Sequence, residues 1–310
     1  MTDVRGIDPE LVAAVAGDER PDLADDLDRA RVLMSSVGLP VAGAEALYGS
    51  RVDVTEHSID LGDRAIEVRV YTPIGRDAPA PGLLMLHGGA FVGGDRGGEH
   101  ARSLRYAAEA GCVVVSPEYR LAPEHPYPAA FDDALAALDW MSTGREHIDP
   151  GRLAIGGVSA GGALAAGSAL RVRDEGTVRL RALLLLFPAL DDRVESRSSL
   201  EFTDSPVWDA ANTREMWSLY LRGASVDSYA APARATALSG LPPTYVLTAE
   251  CDPLRDEGVE FARRLIAADV SADLRVWSGA FHVFDQLAPE PALAKASVGD
   301  QVQFIRRYLH

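Results

Sequence analysis

The chain has 310 residues, 47% of them hydrophobic and 25% charged, and carries a net charge of −16. That length suits one large α/β domain or a core with an appended cap. The acidity argues against nucleic acid and against anionic membrane surfaces as partners. Lys295 is the only lysine, which reads as a coding bias towards arginine. The amino terminus, Met1-Thr2-Asp3-Val4-Arg5-Gly6, lacks the basic-then-apolar layout of a signal peptide, and no apolar run reaches membrane-spanning length. A cytoplasmic protein is therefore expected, with Cys112 and Cys251 as buried thiols rather than a disulfide.

Residues 9 to 37 predict an acidic amphipathic helix, with Leu23, Leu27, Ala30 and Met34 at helical spacing and Gly38-Leu39-Pro40 ending it. Two β-like runs follow, Arg51 to Leu61 and Arg64 to Tyr71, with Gly62-Asp63 as the hairpin signal between them. Apolar runs then recur at Gly82 to Leu86, Cys112 to Ser116, Leu153 to Val158, Ala182 to Phe187, Thr244 to Thr248 and Leu274 to Trp277. Helical patterns between them predict an α/β architecture, a mostly parallel central sheet covered by helices on both faces. The gap between Phe187 and Thr244 is too long for a simple loop and predicts a small helical subdomain, its Trp208, Trp217 and Tyr220 filling that subdomain's core. A terminal helix carries Val298, Val302, Ile305 and Leu309, with His310 fraying at its end.

Gly157, Ser159 and Gly161 form a Gly-x-Ser-x-Gly pattern where an apolar strand meets a small-residue helix. Such a turn holds a serine exposed at the carboxyl edge of a sheet. A serine hydroxyl needs a base, and the base needs an acid to fix its tautomer; on this kind of sheet the chain order is serine, acid, histidine. Only His282 and His310 follow Ser159, and His282 lies in a turn directly after the last strand. The acid should also follow a strand. Asp252 does so, ahead of Asp191 and Asp192, although it could serve merely as a helix N-cap. The helix N-terminus offers the amide of Ala160, and Leu86-His87-Gly88-Gly89-Ala90-Phe91 offers bare backbone at Gly88 and Gly89 for a developing oxyanion. His87 reads as an orienting residue, and Gly93 to Gly98 as flexible loop. A nucleotide site is disfavoured because the glycines lack dinucleotide spacing and no P-loop lysine follows; metal hydrolysis lacks a ligand motif. A non-catalytic binding protein of the same fold is the alternative from outside enzymology.

These pieces in order resemble the hormone-sensitive-lipase-like branch of the α/β-hydrolases, the bacterial carboxylesterase type. His87 to Phe91 resembles its oxyanion motif, Glu118 to Ala130 the segment that follows, Asp252-Pro253-Leu254 its acid motif and His282-Val283-Phe284 its base motif. The resemblance implies an α/β-hydrolase fold with a helical cap: residues 1–45 and 190–235 as cap, 46–189 and 236–310 as core. It implies Ser159, Asp252 and His282 as catalytic residues and Gly88, Gly89 and Ala160 as oxyanion hole. It further implies an ester of short to medium acyl chain as small-molecule substrate, no metal and no cofactor. Amide or lactone cleavage would use the same machinery, and a homodimer is compatible with it. Some prolines between Tyr119 and Pro128 are candidates for cis bonds. Ala90 replaces a usual third glycine, from which an ordinary backbone is expected there, and Val158 replaces a usual acidic residue.

Overall fold

The computed structural model describes residues 6–15, 19–35, 41–76 and 79–310. The single helix expected over residues 9 to 37 is divided, among the described residues, into α1 (Pro9–Val15) and α2 (Leu27–Ser35), and α3 (Val41–Tyr48) follows beyond it. The break between the first two has a local cause. Pro21 has no N–H to give a helix, and the Asp22 carboxylate takes the amides of Ala24 and Asp25 at 3.2 and 3.0 Å in a turn. Leu23 still turns inward and is buried. The expected stop at Gly38-Leu39-Pro40 lies outside the described residues.

The hairpin falls where Gly62-Asp63 predicts it, joining β1 (Val52–Asp60) to β2 (Ala65–Pro73) with Ile59 opposite Ile66. The six apolar runs become β3 (Ala80–Leu86), β4 (Val113–Pro117), β5 (Ile148–Val158), β6 (Leu180–Leu186), β7 (Thr244–Cys251) and β8 (Ala272–Phe281). They form one sheet in the order β1-β2-β4-β3-β5-β6-β7-β8, parallel from β4 through β8 and antiparallel at β1-β2 and β2-β4.

Both faces are covered over the middle of the sheet, so β3 and β4 are buried along their whole length, whereas the edge strand β1 is largely exposed. Leu84, Leu86, Ile155 and Leu185 face one apolar cluster with α5 (Ala129–Ser142), α6 (Ala160–Glu175) and α9 (Arg255–Ala267). Leu83, Met85, Ala154 and Leu184 face the other, with α4 (His100–Arg105) and α11 (Ala292–Leu309). The long gap after β6 contributes α7 (Arg197–Glu201) and α8 (Ala210–Leu221), and α10 (Phe284–Leu287) follows β8. His310 does not fray: its Nε2 lies 2.8 Å from the Ala110 carbonyl oxygen.

The strand order places the site. From β3 the chain moves one way to β4, and β5 then falls on the opposite side of β3. The loops leaving β3 and β5 therefore diverge, opening a crevice at the carboxyl ends of these strands. Among the described residues no helix is long and apolar enough to cross a membrane.

Candidate active site

The turn from β5 into α6 is closed to side chains. A Cβ on Gly157 would lie 2.1 Å from the Gly161 carbonyl oxygen, and one on Gly161 would lie 2.3 Å from that of Leu86. Ser159 between them takes φ 55° and ψ −117°, a strained conformation for a residue with a side chain. Its amide donates to Leu186 O at 2.8 Å, and its carbonyl accepts from Gly162 and Ala189. The backbone is thus held from both sides, and the hydroxyl makes no helix cap.

The hydroxyl instead faces His282. Ser159 Oγ and His282 Nε2 are 3.1 Å apart, and His282 Nδ1 is 2.7 Å from Asp252 Oδ2. All three residues are buried. Asp252 also accepts the Leu254 amide on Oδ1 at 2.9 Å, so the cap-like role and the histidine contact use different oxygens of one carboxylate. The runners-up are engaged elsewhere: Asp191 with Arg193 and Asp192 with Arg234. Phe187 presents its ring edge-on to the imidazole, 5.6 Å between centroids.

The loop after β3 departs from expectation at one residue. Ala90 has φ 57° and Phe91 φ 59°, so Ala90 is left-handed, not ordinary. Burial explains how the strain is tolerated. Ala90 and Phe91 are both enclosed, and the Phe91 ring stacks on Tyr220 at 3.8 Å. Gly89, at φ 123°, cannot be replaced: a Cβ there would sit 2.1 Å from Gly93 O. The His87 ring stacks on Tyr119 at 4.0 Å, Tyr119 Oη donates to His87 O at 2.7 Å, and His87 Nδ1 lies 2.7 Å from Gly88 O. A carbonyl can only accept, so Nδ1 carries the proton. Burial holds the imidazole neutral, pulling its pKa down to about 4. The amides of Gly88, Gly89 and Ala160 have no acceptor among the described residues. The segment from Gly93 to Gly98 is not loose: Gly93 donates to Gly89 O, and Gly97 and Gly98 close turns on Asp95. The Ala122-Pro123 and Tyr127-Pro128 bonds in the adjoining segment are cis.

A cavity of about 180 Å³ lies over Ser159 and His282. Its floor includes Gly88, Gly89 and Val158, and its roof includes Pro21, Met34 and Trp208. Trp208 therefore does more than fill a core; Trp217 and Tyr220, by contrast, pack inward against Phe91. Val158 is buried and apolar at the position of a usual acid. Cys112 and Cys251 are free buried thiols. Among the described residues no group of three His, Cys, Asp or Glu is disposed to hold a metal ion.

Two buried groups behind the site are not picked out in the sequence. Arg102 is enclosed and bonds Glu99 Oε2 at 2.9 Å, Gln301 Oε1 at 2.7 Å and Asp285 Oδ1 at 3.2 Å. It ties the helix after the glycine-rich loop to the segment carrying His282. An arginine in a short helix after a glycine-rich loop looks solvent-bound in sequence, and only the fold brings Asp285 to it. Glu257 accepts the Leu190 amide at 2.7 Å, and burial keeps its carboxyl well above the usual range.

A reversing parallel sheet with a strained serine at its switch point defines an α/β-hydrolase. The chain belongs to the alpha/beta hydrolase fold family, whose profile matches residues 83–286, and within it to the hormone-sensitive-lipase-like branch. It is 34% identical over 296 residues to carboxylesterase NlhH of Mycobacterium tuberculosis, covering 93% of this chain and 91% of that one. An arylesterase of Saccharolobus solfataricus is 34% identical over 240 residues, 75% of this chain and 77% of the relative. Among solved structures, a bacterial heroin esterase superposes with a TM-score of 0.89 at 40% identity over 98% of both chains.

Proposed function

We propose that this chain is a carboxylesterase in which Ser159 is the nucleophile, His282 the general base and Asp252 the residue that orients it. The relatives' esterase activity supports the reaction class, and one observation carries the residue assignment: the continuous Ser159–His282–Asp252 contact, at 3.1 and 2.7 Å. Ser159 Oγ attacks the ester carbonyl carbon as His282 Nε2 takes its proton. The amides of Gly88, Gly89 and Ala160 donate to the oxyanion, where losing one donor commonly costs about 10²–10³ in rate. Collapse breaks the bond to the alcohol, which leaves with the proton from His282. Water, deprotonated by His282, then attacks the acyl-serine and releases the acid. Asp252 stabilises the imidazolium without taking its proton.

The substrate is a small-molecule ester. The cavity of about 180 Å³ lies below the ordinary range of about 300–1,000 Å³ for ligand sites, which favours short to medium acyl chains. Residues 1–45 and 190–235 act as the cap over the site, with 46–189 and 236–310 as the catalytic core. An organophosphate should add its phosphoryl mass to the peptide holding Ser159 and abolish hydrolysis of an activated short ester, and Ser159→Ala should be inert to both. An unlabelled Ser159 with esterase activity retained would overturn the assignment.

A further inference from the structure

The two parts of the roof come from segments far apart in the chain, and side chains join them. Glu19 and Pro21 reach the cavity from the amino-terminal segment, Val207 and Trp208 from the insertion after β6. Asn212, on the first turn of α8, bridges the two. Its Nδ2 donates to Pro21 O at 2.8 Å and its Oδ1 accepts the Leu23 amide at 3.1 Å. A carboxamide in this pose reads both polar groups of a passing backbone, as a neighbouring strand would. Asn212 is itself held: its backbone N–H donates to Asp209 Oδ1 at 2.9 Å, the N-cap bond of α8, and Nδ2 donates to the same oxygen at 3.2 Å. Arg20 reinforces the join through Asp204 at 2.7 Å and Ser205 O at 3.3 Å. Trp208 is fixed in turn by Nε1–H donating to Thr213 Oγ1 at 2.9 Å.

We propose that Asn212 is a specificity-determining positioning residue: by pinning Pro21 and Leu23 to the start of α8, it closes the cavity roof and sets the longest substrate the site accepts. It touches neither Ser159 nor His282. This rests on the esterase reading above. Without the carboxamide, the segment 19–23 keeps, among the described residues, the Arg20 contacts to Asp204, Ser205 and Asp209 and the burial of Leu23 to hold it at the start of α8. The roof then opens along the chain of a bound ester while the Ser159–His282–Asp252 contact is undisturbed.

The test measures kcat/KM for p-nitrophenyl esters from acetate to dodecanoate and for alkyl acetates of increasing length, so that either end of the substrate can report. For Asn212→Ala the ratio of long to short ester should rise, by about fourfold for each further methylene accommodated, with the acetate kcat little changed. Asn212→Asp, which keeps the acceptor for Leu23 but sets oxygen against Pro21 O, should shift the same way. A purely structural role would lower all esters together and leave the ratio fixed, which would overturn the proposal. If Asn212→Ala does not fold, Arg20→Ala, at a partly exposed site, carries the test with a smaller shift, and an unchanged ratio there counts against it equally. Wild-type protein that hydrolyses no ester would instead remove the esterase reading itself.

Discussion

Acidification should destabilise this protein through His87, and the size of the effect follows from its burial. The ring is enclosed, stacked on Tyr119, and its Nε2 has no hydrogen-bond partner among the described residues. Burial lowers its pKa to about 4 in the folded chain, against about 6.5 when unfolded. Between those values the unfolded chain takes up a proton that the folded chain refuses. The contribution is thus complete above about pH 6.5 and is lost as pH falls towards 4. At about 1.4 kcal/mol per pH unit the loss by pH 5 is about 2 kcal/mol. Unfolding entropy of about 2.1 cal/mol/K per residue makes that about 3 °C in Tm for a chain of this length. His87→Gln removes the titration but keeps a side chain able to donate. The assay compares thermal unfolding of both proteins at pH 7 and pH 5. Other groups, including Glu257, whose raised pKa works in the opposite direction, are common to both and cancel in the difference. The wild type should lose about 3 °C more than the variant; parallel losses would refute the reasoning.

Two further outcomes test the packing around the site. Asp285→Ala would leave Arg102 buried with Glu99 as its one remaining carboxylate partner among the described residues, and breaking such a pair costs about 3–5 kcal/mol. By the same entropy scaling, a drop of about 5–8 °C in Tm is expected in a thermal melt, and Asp285→Asn, which can still accept from Ser297, should lose less. Ala90→Gly relieves about 1–2 kcal/mol of left-handed strain but gives up a buried methyl and gains unfolded-state entropy, about 1–2 kcal/mol together. Its urea midpoint should therefore stay close to wild type with activity retained, whereas the β-branched Ala90→Val should lose both.

The sheet was readable because its central strands carry apolar runs bounded by turn residues, the pattern that burial on two faces demands, while β1 and β2 were marked by the Gly62-Asp63 turn between them. Ser159, Asp252 and His282 were nameable for a related reason: each sits on the loop that directly follows a strand, and the sheet gathers those loops at one edge. What failed to read was set by tertiary context. Leu23, Leu27, Ala30 and Met34 keep helical spacing, yet Pro21 and the Asp22 turn break the segment, because α2 and Leu23 each find their own surface on the core. Ala90 is forced left-handed by a loop whose shape Gly89 and Phe91 dictate, and alanine carries no mark of that. Trp208 and Trp217 are alike in sequence; only the direction of α8 puts one on the cavity and the other behind Phe91. Arg102 and Asp285 are separated by most of the chain, and a buried ion pair between them has no local sign at all.

Among the described residues, six of the eleven non-glycine positions with positive φ surround Ser159 and His282; Glu146, His147, Val194, Arg222 and Asp269 lie elsewhere. Ala90, Phe91, Ser159, Phe187, Val207 and Val283 all have positive φ without being glycine, at about 1–3 kcal/mol each. Val207 and Val283 are β-branched, for which such a conformation is a true outlier. Strain of this kind persists only if the surroundings over-determine it, and each residue here is buried against an aromatic or apolar neighbour. Phe91 is held by Tyr220, and Phe187 by Phe284 at 5.8 Å with a near-perpendicular ring. Val283 directly follows His282 and precedes that same Phe284, so the ring that packs on Phe187 also sits at the end of the loop carrying His282. A Phe284 truncation would thus loosen two strained turns at once, on either side of one imidazole. The aromatic packing beneath the site is what permits a hydroxyl, an imidazole and a carboxylate to stay aligned on three separate loops.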